Sequence, residues 1–158
     1  MSSQQRQRGG VLVVAAAVVG LDQLTKALAL QHLTPGVALP LLPGLLQRRL
    51  VFNTGAAFSL FTNATPLLAL VSLLVALGVL IWLLRSGPLR FWQGWGVAML
   101  LGGTIGNGLD RWRHGSVIDF LELVPIDFPI FNGADVAINL AVLFLLVDLI
   151  RPHGAPKR

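Results

Sequence analysis

Residues 66–84 read PLLALVSLLVALGVLIWLL, an unbroken apolar run that opens on a proline and carries no charge. About 20 such residues are what a helix needs to cross the hydrocarbon core of a bilayer. Three runs of similar length lie to either side of it, at 11–30, 91–109 and 134–150. The first holds Asp22 and Lys26. The third is studded with Gly94, Gly96, Gly102, Gly103, Gly106 and Gly108, a pattern that permits close helix packing. The fourth holds Asp135, Asn139 and Asp148. Pro88 and Pro152 interrupt the pattern after the second and fourth runs. The chain therefore reads as an α-helical integral membrane protein with four transmembrane helices, one domain over residues 1–158. Composition agrees: of 158 residues 54% are hydrophobic and only 12% charged, with a mean hydropathy of +0.74. A soluble domain carries about 25% charged residues, so that class is excluded, as is a disordered tail.

The net charge of +5 comes from basic residues scattered between apolar runs, which speaks for membrane topology and against a nucleic-acid partner. With both termini cytoplasmic, Arg6, Arg8, Arg85, Arg90, Arg151, Lys157 and Arg158 fall inside, and Arg48, Arg49, Arg111 and Arg113 fall outside. That asymmetry favours the N-in, C-in orientation. Asp22, Gln23 and Lys26 continue the first helical pattern where a cleavage region would follow, so the first run reads as an uncleaved span rather than a signal peptide. The absence of cysteine excludes disulfides, thiolate nucleophiles and Cys-ligated metals.

The two outer loops, 31–65 and 110–133, are too long for simple connections and too apolar for disorder. Turn signals at Pro35-Gly36 and Pro43-Gly44 precede 45–52 (LLQRRLVF), which reads as a strand. A small extramembrane β-structured region is expected there, with a short helix on the approach to Pro66.

Ionisable groups inside spans are costly and each needs an account. Asp22 and Lys26 lie four apart on one helix face, in the favourable order for pairing, although Lys26 could also snorkel to the interface. Asn107, Asp110 and Arg111 close the third run, and Asn132, Ala134 and Asp135 open the fourth, with Asn139 one turn beyond Asp135. Asp119 sits between these runs in an apolar setting. All of these converge on one interface. Asp148, at the other end, is expected to pair with Arg151, while Glu122 and Asp127 read as solvated and Arg48 and Arg49 as headgroup or solvent contacts.

His32, His114 and His153 lack the HExxH spacing of a zinc protease, no GxSxG elbow is present, and no glycine-rich phosphate loop occurs. A Ser–Lys dyad of Lys26 with Ser59 or Ser116 has only the intramembrane lysine in its favour. Asp119 and Asp135 remain. Two carboxylates sharing a site cannot both ionise comfortably, so one can activate water while the other donates a hydrogen bond to a carbonyl. Competing readings stay open at this point. The acids could form a polar packing network, an ion path through Asp22, Lys26, Asp110 and Asp135, or part of a non-catalytic assembly subunit. Arg111 could be a headgroup anchor, Asn53 and Asn107 buried bridging amides, and Asn132 a helix N-cap.

Five short motifs carry a resemblance: Asp22-Gln23-Leu24-Thr25-Lys26, Asn53-Thr54-Gly55-Ala56-Ala57-Phe58, Gly106-Asn107-Gly108-Leu109-Asp110-Arg111, Val117-Ile118-Asp119-Phe120 and Phe131-Asn132-Gly133-Ala134-Asp135. In this order and at this spacing the chain resembles the lipoprotein signal peptidases (signal peptidase II), bacterial four-span aspartyl peptidases. The resemblance implies Asp119 and Asp135 as the catalytic dyad. It implies Asp22, Lys26, Asn53, Gly55, Asn107, Asp110, Arg111, Asn132, Ala134 and Asn139 as residues that bind substrate or support the site. No metal or cofactor is implied. The implied substrate is a diacylglyceryl-modified prolipoprotein, cleaved just before its lipidated Cys by an enzyme that is a monomer among membrane lipids. The implied location is the bacterial inner membrane, with the site toward the outer face. Phe128 stands where the family often carries Trp.

Overall fold

The computed structural model describes residues 2–55 and 64–151. Along the chain it runs α1 (Ser3–His32), β1 (Ala38–Leu42), β2 (Leu46–Asn53), α2 (Thr65–Arg85), α3 (Phe91–His114), β3 (Val117–Leu123) and α4 (Gly133–Ile150). Helices α1, α2 and α4 are each long and apolar enough to cross a membrane. Much of their outward surface is Leu, Val and Ile, including Leu24, Leu67, Leu74, Val142 and Leu146. That is the arrangement expected where lipid replaces water as solvent.

α3 is different. It packs against all three other helices and buries Val97, Ala98, Leu101, Thr104, Asn107 and Asp110. Its glycines allow this: a Cβ at Gly102 would come within 2.6 Å of Val18, and one at Gly103 within 2.6 Å of the Ala134 carbonyl. Small clusters join the helices, Val11, Leu83, Val97 and Ala98 near one end and Ala15, Ala76 and Leu101 further along. A third cluster of Ala29, Leu33, Leu50 and Ile118 ties the end of α1 to the sheet.

The sheet is antiparallel, in the order β1-β2-β3, with Val51 opposite Asp119 and Asn53 opposite Val117. The run 45–52 is a strand as expected, essentially β2. β3 was not anticipated, because its VIDFLEL pattern interrupts apolar alternation with an acid that faces the interior. The short helix expected before Pro66 falls on residues 56–63, outside those described; so do Ser59, Pro152, His153, Lys157, Arg158 and the Ala56-Ala57-Phe58 end of the second motif.

Several boundaries and pairings need correction. α1 begins at Ser3 rather than near residue 11, held by a capping box between Ser2 and Gln5. α3 continues to His114, so Asp110 and Arg111 belong to a helix and not to the 110–133 loop; it stops where Gly115 turns left-handed at φ 69°. Asp148 pairs with Arg90, the N-cap residue of α3, rather than with Arg151. Arg151 has left helical geometry, and its guanidinium instead lies over the Trp92 ring, 5.2 Å from the centroid. Glu122 is not merely solvated: strand register sets it opposite Gln47, whose Nε2 donates to it at 2.7 Å, with Arg49 Nε 3.1 Å away.

Candidate active site

Two polar groupings lie side by side where α1, α3, α4 and β3 meet. The first is closed. Lys26 Nζ sits 2.8 Å from Asp22 Oδ2 and 2.7 Å from Asp110 Oδ2, and the lysine is only 1% exposed. Snorkelling is therefore not its role. Each acid has further partners: the Ala134 N–H donates to Asp22 Oδ1 at 2.8 Å, Gln23 Nε2 to Asp110 Oδ1 at 2.8 Å, and the Ile118 N–H to Asp110 Oδ2 at 3.2 Å. A buried ion cluster is tolerable only when its lone pairs are met in this way. Gly106 is part of the fit, since a Cβ there would lie 2.6 Å from Asp22 Oδ2.

The second grouping holds the two remaining acids. Asn132 is the N-cap of α4, and its side chain accepts from the Asp135 N–H at 3.0 Å while the Asp135 carboxylate accepts from the Asn132 N–H at 3.1 Å. The same Asn132 donates through Nδ2 to Asp119 Oδ1 at 2.7 Å. So the two readings of Asn132, cap and site residue, hold together. Asp119 Oδ2 also accepts from Asn53 Nδ2 at 3.0 Å, and Asp135 Oδ1 from Asn107 Nδ2 at 2.8 Å. Arg111 reaches from α3 to the Gly55 carbonyl at 3.1 Å, and the Gly55 N–H donates to Asn53 Oδ1 at 2.9 Å. Arg111 thus holds a loop and is more than a headgroup anchor.

Asp119 and Asp135 open onto a cavity of about 730 Å³ whose polar lining includes Asn53, Asn107, Arg111 and Asn139. Val71, Val75, Ile138 and Leu143 give it an apolar flank between α2 and α4. Burial, reinforced by the neighbouring Asp135 charge, pushes the Asp119 carboxyl up to about 7, against the opposing pull of hydrogen bonds from Asn53 and Asn132 and of the Lys26 charge. Asn139 is brought to the cavity but donates to the Asp135 backbone carbonyl at 2.9 Å, so it is the most weakly committed of the expected residues. Gln23 was singled out only as a member of its motif; its bond to Asp110 depends on the packing of α1 against α3. Among the described residues Lys26 is bonded to Asp22, Asp110 and Asn107 and to no serine, which removes Ser116 as a dyad partner.

Three apolar helices packed on a fourth, with a three-stranded sheet over the acid cluster, define a helical membrane-enzyme fold. Two solved bacterial membrane enzymes share it. One, determined in meso at 2.3 Å, superposes with a TM-score of 0.86 at 23% identity over 95% of this chain and 94% of that one. Another, at 1.9 Å, gives 0.82 at 24% identity over 92% of this chain and 95% of that one. The family model for signal peptidase (SPase) II matches residues 14–151, and the chain belongs to that family. It is 58% identical to the lipoprotein signal peptidase of Parasynechococcus marenigrum (strain WH8102), over 94% of each chain. It is 55% identical to that of Synechococcus sp. (strain RCC307), over 92% of this chain and 97% of the other.

Proposed function

We propose that residues 1–158 form a single intramembrane aspartyl endopeptidase that removes the signal peptide from diacylglyceryl-modified prolipoproteins, cleaving just before the lipidated Cys. The observation that carries this reading is the pair of hydrogen bonds by which one residue, Asn132, holds both Asp119 and Asp135 at the wall of one cavity. The names of the relatives support the substrate class.

With Asp119 pushed to about 7, it is the member of the pair that retains a proton near neutrality. Asp135 then takes a proton from water as the water oxygen attacks the scissile carbonyl. Asp119 donates a hydrogen bond to the carbonyl oxygen that becomes the oxyanion. Collapse of the tetrahedral intermediate breaks the C–N bond, and the leaving amine takes up the proton that Asp135 received. Asn53, Gly55, Asn107, Arg111, Asn132, Ala134 and Asn139 hold the pair and line the substrate path, and Asp22, Lys26 and Asp110 brace it from behind. The apolar flank suits a lipid-modified substrate whose chains stay in the bilayer while the peptide reaches the acids laterally.

α3 is read as the fourth span. It has 24 residues, about 36 Å at 1.5 Å per residue, and its low apolarity is explained by neighbours that shield it from lipid. The excess of basic residues near the other helix ends favours both termini cytoplasmic and the acids toward the outer face of the bacterial inner membrane. The enzyme is read as a monomer among membrane lipids, needing no cofactor. The test is to incubate the purified protein with a diacylated lipobox peptide. Cleavage on the N-terminal side of the modified Cys, lost in D119N and in D135N, is expected; turnover surviving in either variant refutes the acid pair.

A further inference from the structure

We infer that Lys26 is a positioning residue for the acid pair, acting through the side-chain amide of Asn107. Its ammonium meets three acceptors, Asp22 Oδ2, Asp110 Oδ2 and, at 3.0 Å, Asn107 Oδ1. An ammonium has three N–H donors and no lone pair, so its capacity is filled and only an oxygen of Asn107 can face it. Asn132 Nδ2 donates to the same oxygen, also at 3.0 Å. With its carbonyl pinned twice, the amide of Asn107 has one remaining direction for its Nδ2, toward Asp135 Oδ1. Turned over, it would set N–H against ammonium and carbonyl against carboxylate, replacing attractive contacts with repulsive ones.

The same oxygen also orients Asn132. Asn132 Nδ2 makes its two shorter bonds to Asn107 Oδ1 and Asp119 Oδ1, with a longer contact of 3.4 Å to the Ile118 carbonyl. One carbonyl facing Lys26 thus fixes a donor toward each acid. Asp22 and Asp110 are what keep the ammonium there, and they are themselves tied to α4 through the Ala134 N–H and to β3 through the Ile118 N–H. Charge compensation alone would need no bond from Lys26 to Asn107.

The inference rests on Asp119 and Asp135 being the reacting pair. Loss of diacylated lipobox peptide turnover in D119N and in D135N tests that reading, and the ratio of Lys26-variant to native turnover tests this one. Two variants separate positioning from charge balance. K26M leaves two buried carboxylates without a cation, whereas D22N/K26M restores the native local net charge but still offers Asn107 no ammonium. K26M is expected to lower kcat about a hundredfold with KM within about threefold, as for a small misplacement of reacting groups. D22N/K26M is expected to regain the thermal midpoint and not kcat. Recovery of kcat together with the midpoint would overturn the proposal, as would a loss confined to KM. Failure of both variants to fold would overturn it in favour of a purely structural lysine.

Discussion

Asp22 and Asp110 on one side of Asn107, and Asp119 and Asp135 on the other, are four acids of the same chemistry in opposite circumstances. The first two share an ammonium and are 2% and 1% exposed. The second two receive only neutral N–H donors and border open space. Two carboxylates that share a buried ammonium, with backbone N–H groups of Ala134 and Ile118 meeting further lone pairs, tie α1 and α3 to α4 and β3 and serve architecture. A carboxylate near another carboxylate, with amides in place of a cation, can hold a proton near neutrality and serve chemistry. On the proposed chemistry, the placement of one lysine is what separates the acids that brace from the acids that react.

The strongest way to break this contrast is to neutralise the acids one at a time. D119N and D135N should each lower kcat by at least about a thousandfold, the scale of general acid–base catalysis, with the protein still folded in detergent. By contrast, D110L removes half of the lysine's compensation and should destabilise by about 3–5 kcal/mol, seen as a fall in thermal midpoint. Loss of fold in D119N, or of activity alone in D110L, would erase the distinction.

Acidity sharpens it further. Asp119 sits at about 7, above the ordinary carboxyl range, so its proton is lost as pH rises through that value. kcat/KM should therefore fall about tenfold per pH unit on the alkaline side of this value. Stability follows the same sign. The contribution of the buried, protonated carboxyl is fully present below the unfolded value of about 4 and is lost as pH rises through about 7. Above pH 7, D119N should thus melt higher than the native chain, and near pH 4 the two should converge. An inactive variant that is more stable than its parent at high pH is a signature no bracing acid would give. The smallest effect is expected at Asn139, whose side chain bonds to its own helix: N139A should change kcat/KM by less than about threefold.

Much of the architecture was legible because lipid imposes a coarse rule. The runs 66–84 and 134–150 nearly coincide with α2 and α4, since an apolar stretch of that length has few other solutions. α1 and α3 extend past their apolar runs because Ser2 caps one and partners shield the polar end of the other. Which acids share a neighbourhood could be guessed from their convergence on one interface. Which of them share a cation could not, because Asp110 is 84 positions from Lys26 and only helix packing joins them. The Arg90–Asp148 pair escaped for the same reason: Arg151 was nearer in sequence, but Asp148 faces α3. Gln23 carries no charge and no spacing signal, so only coordinates reveal its bond to Asp110.

The reciprocal cap at the start of α4 has a consequence for biogenesis. Asn132 and Asp135 bond each other's backbone only once that helix has wound its first turn, and Asn132 touches Asp119 only once it has docked beside β3. A chain whose last helix is still unseated lacks the bonds by which Asn132 joins the two acids. On the proposed chemistry such a precursor is silent, and the hydrolase switches on at the moment its own insertion is finished.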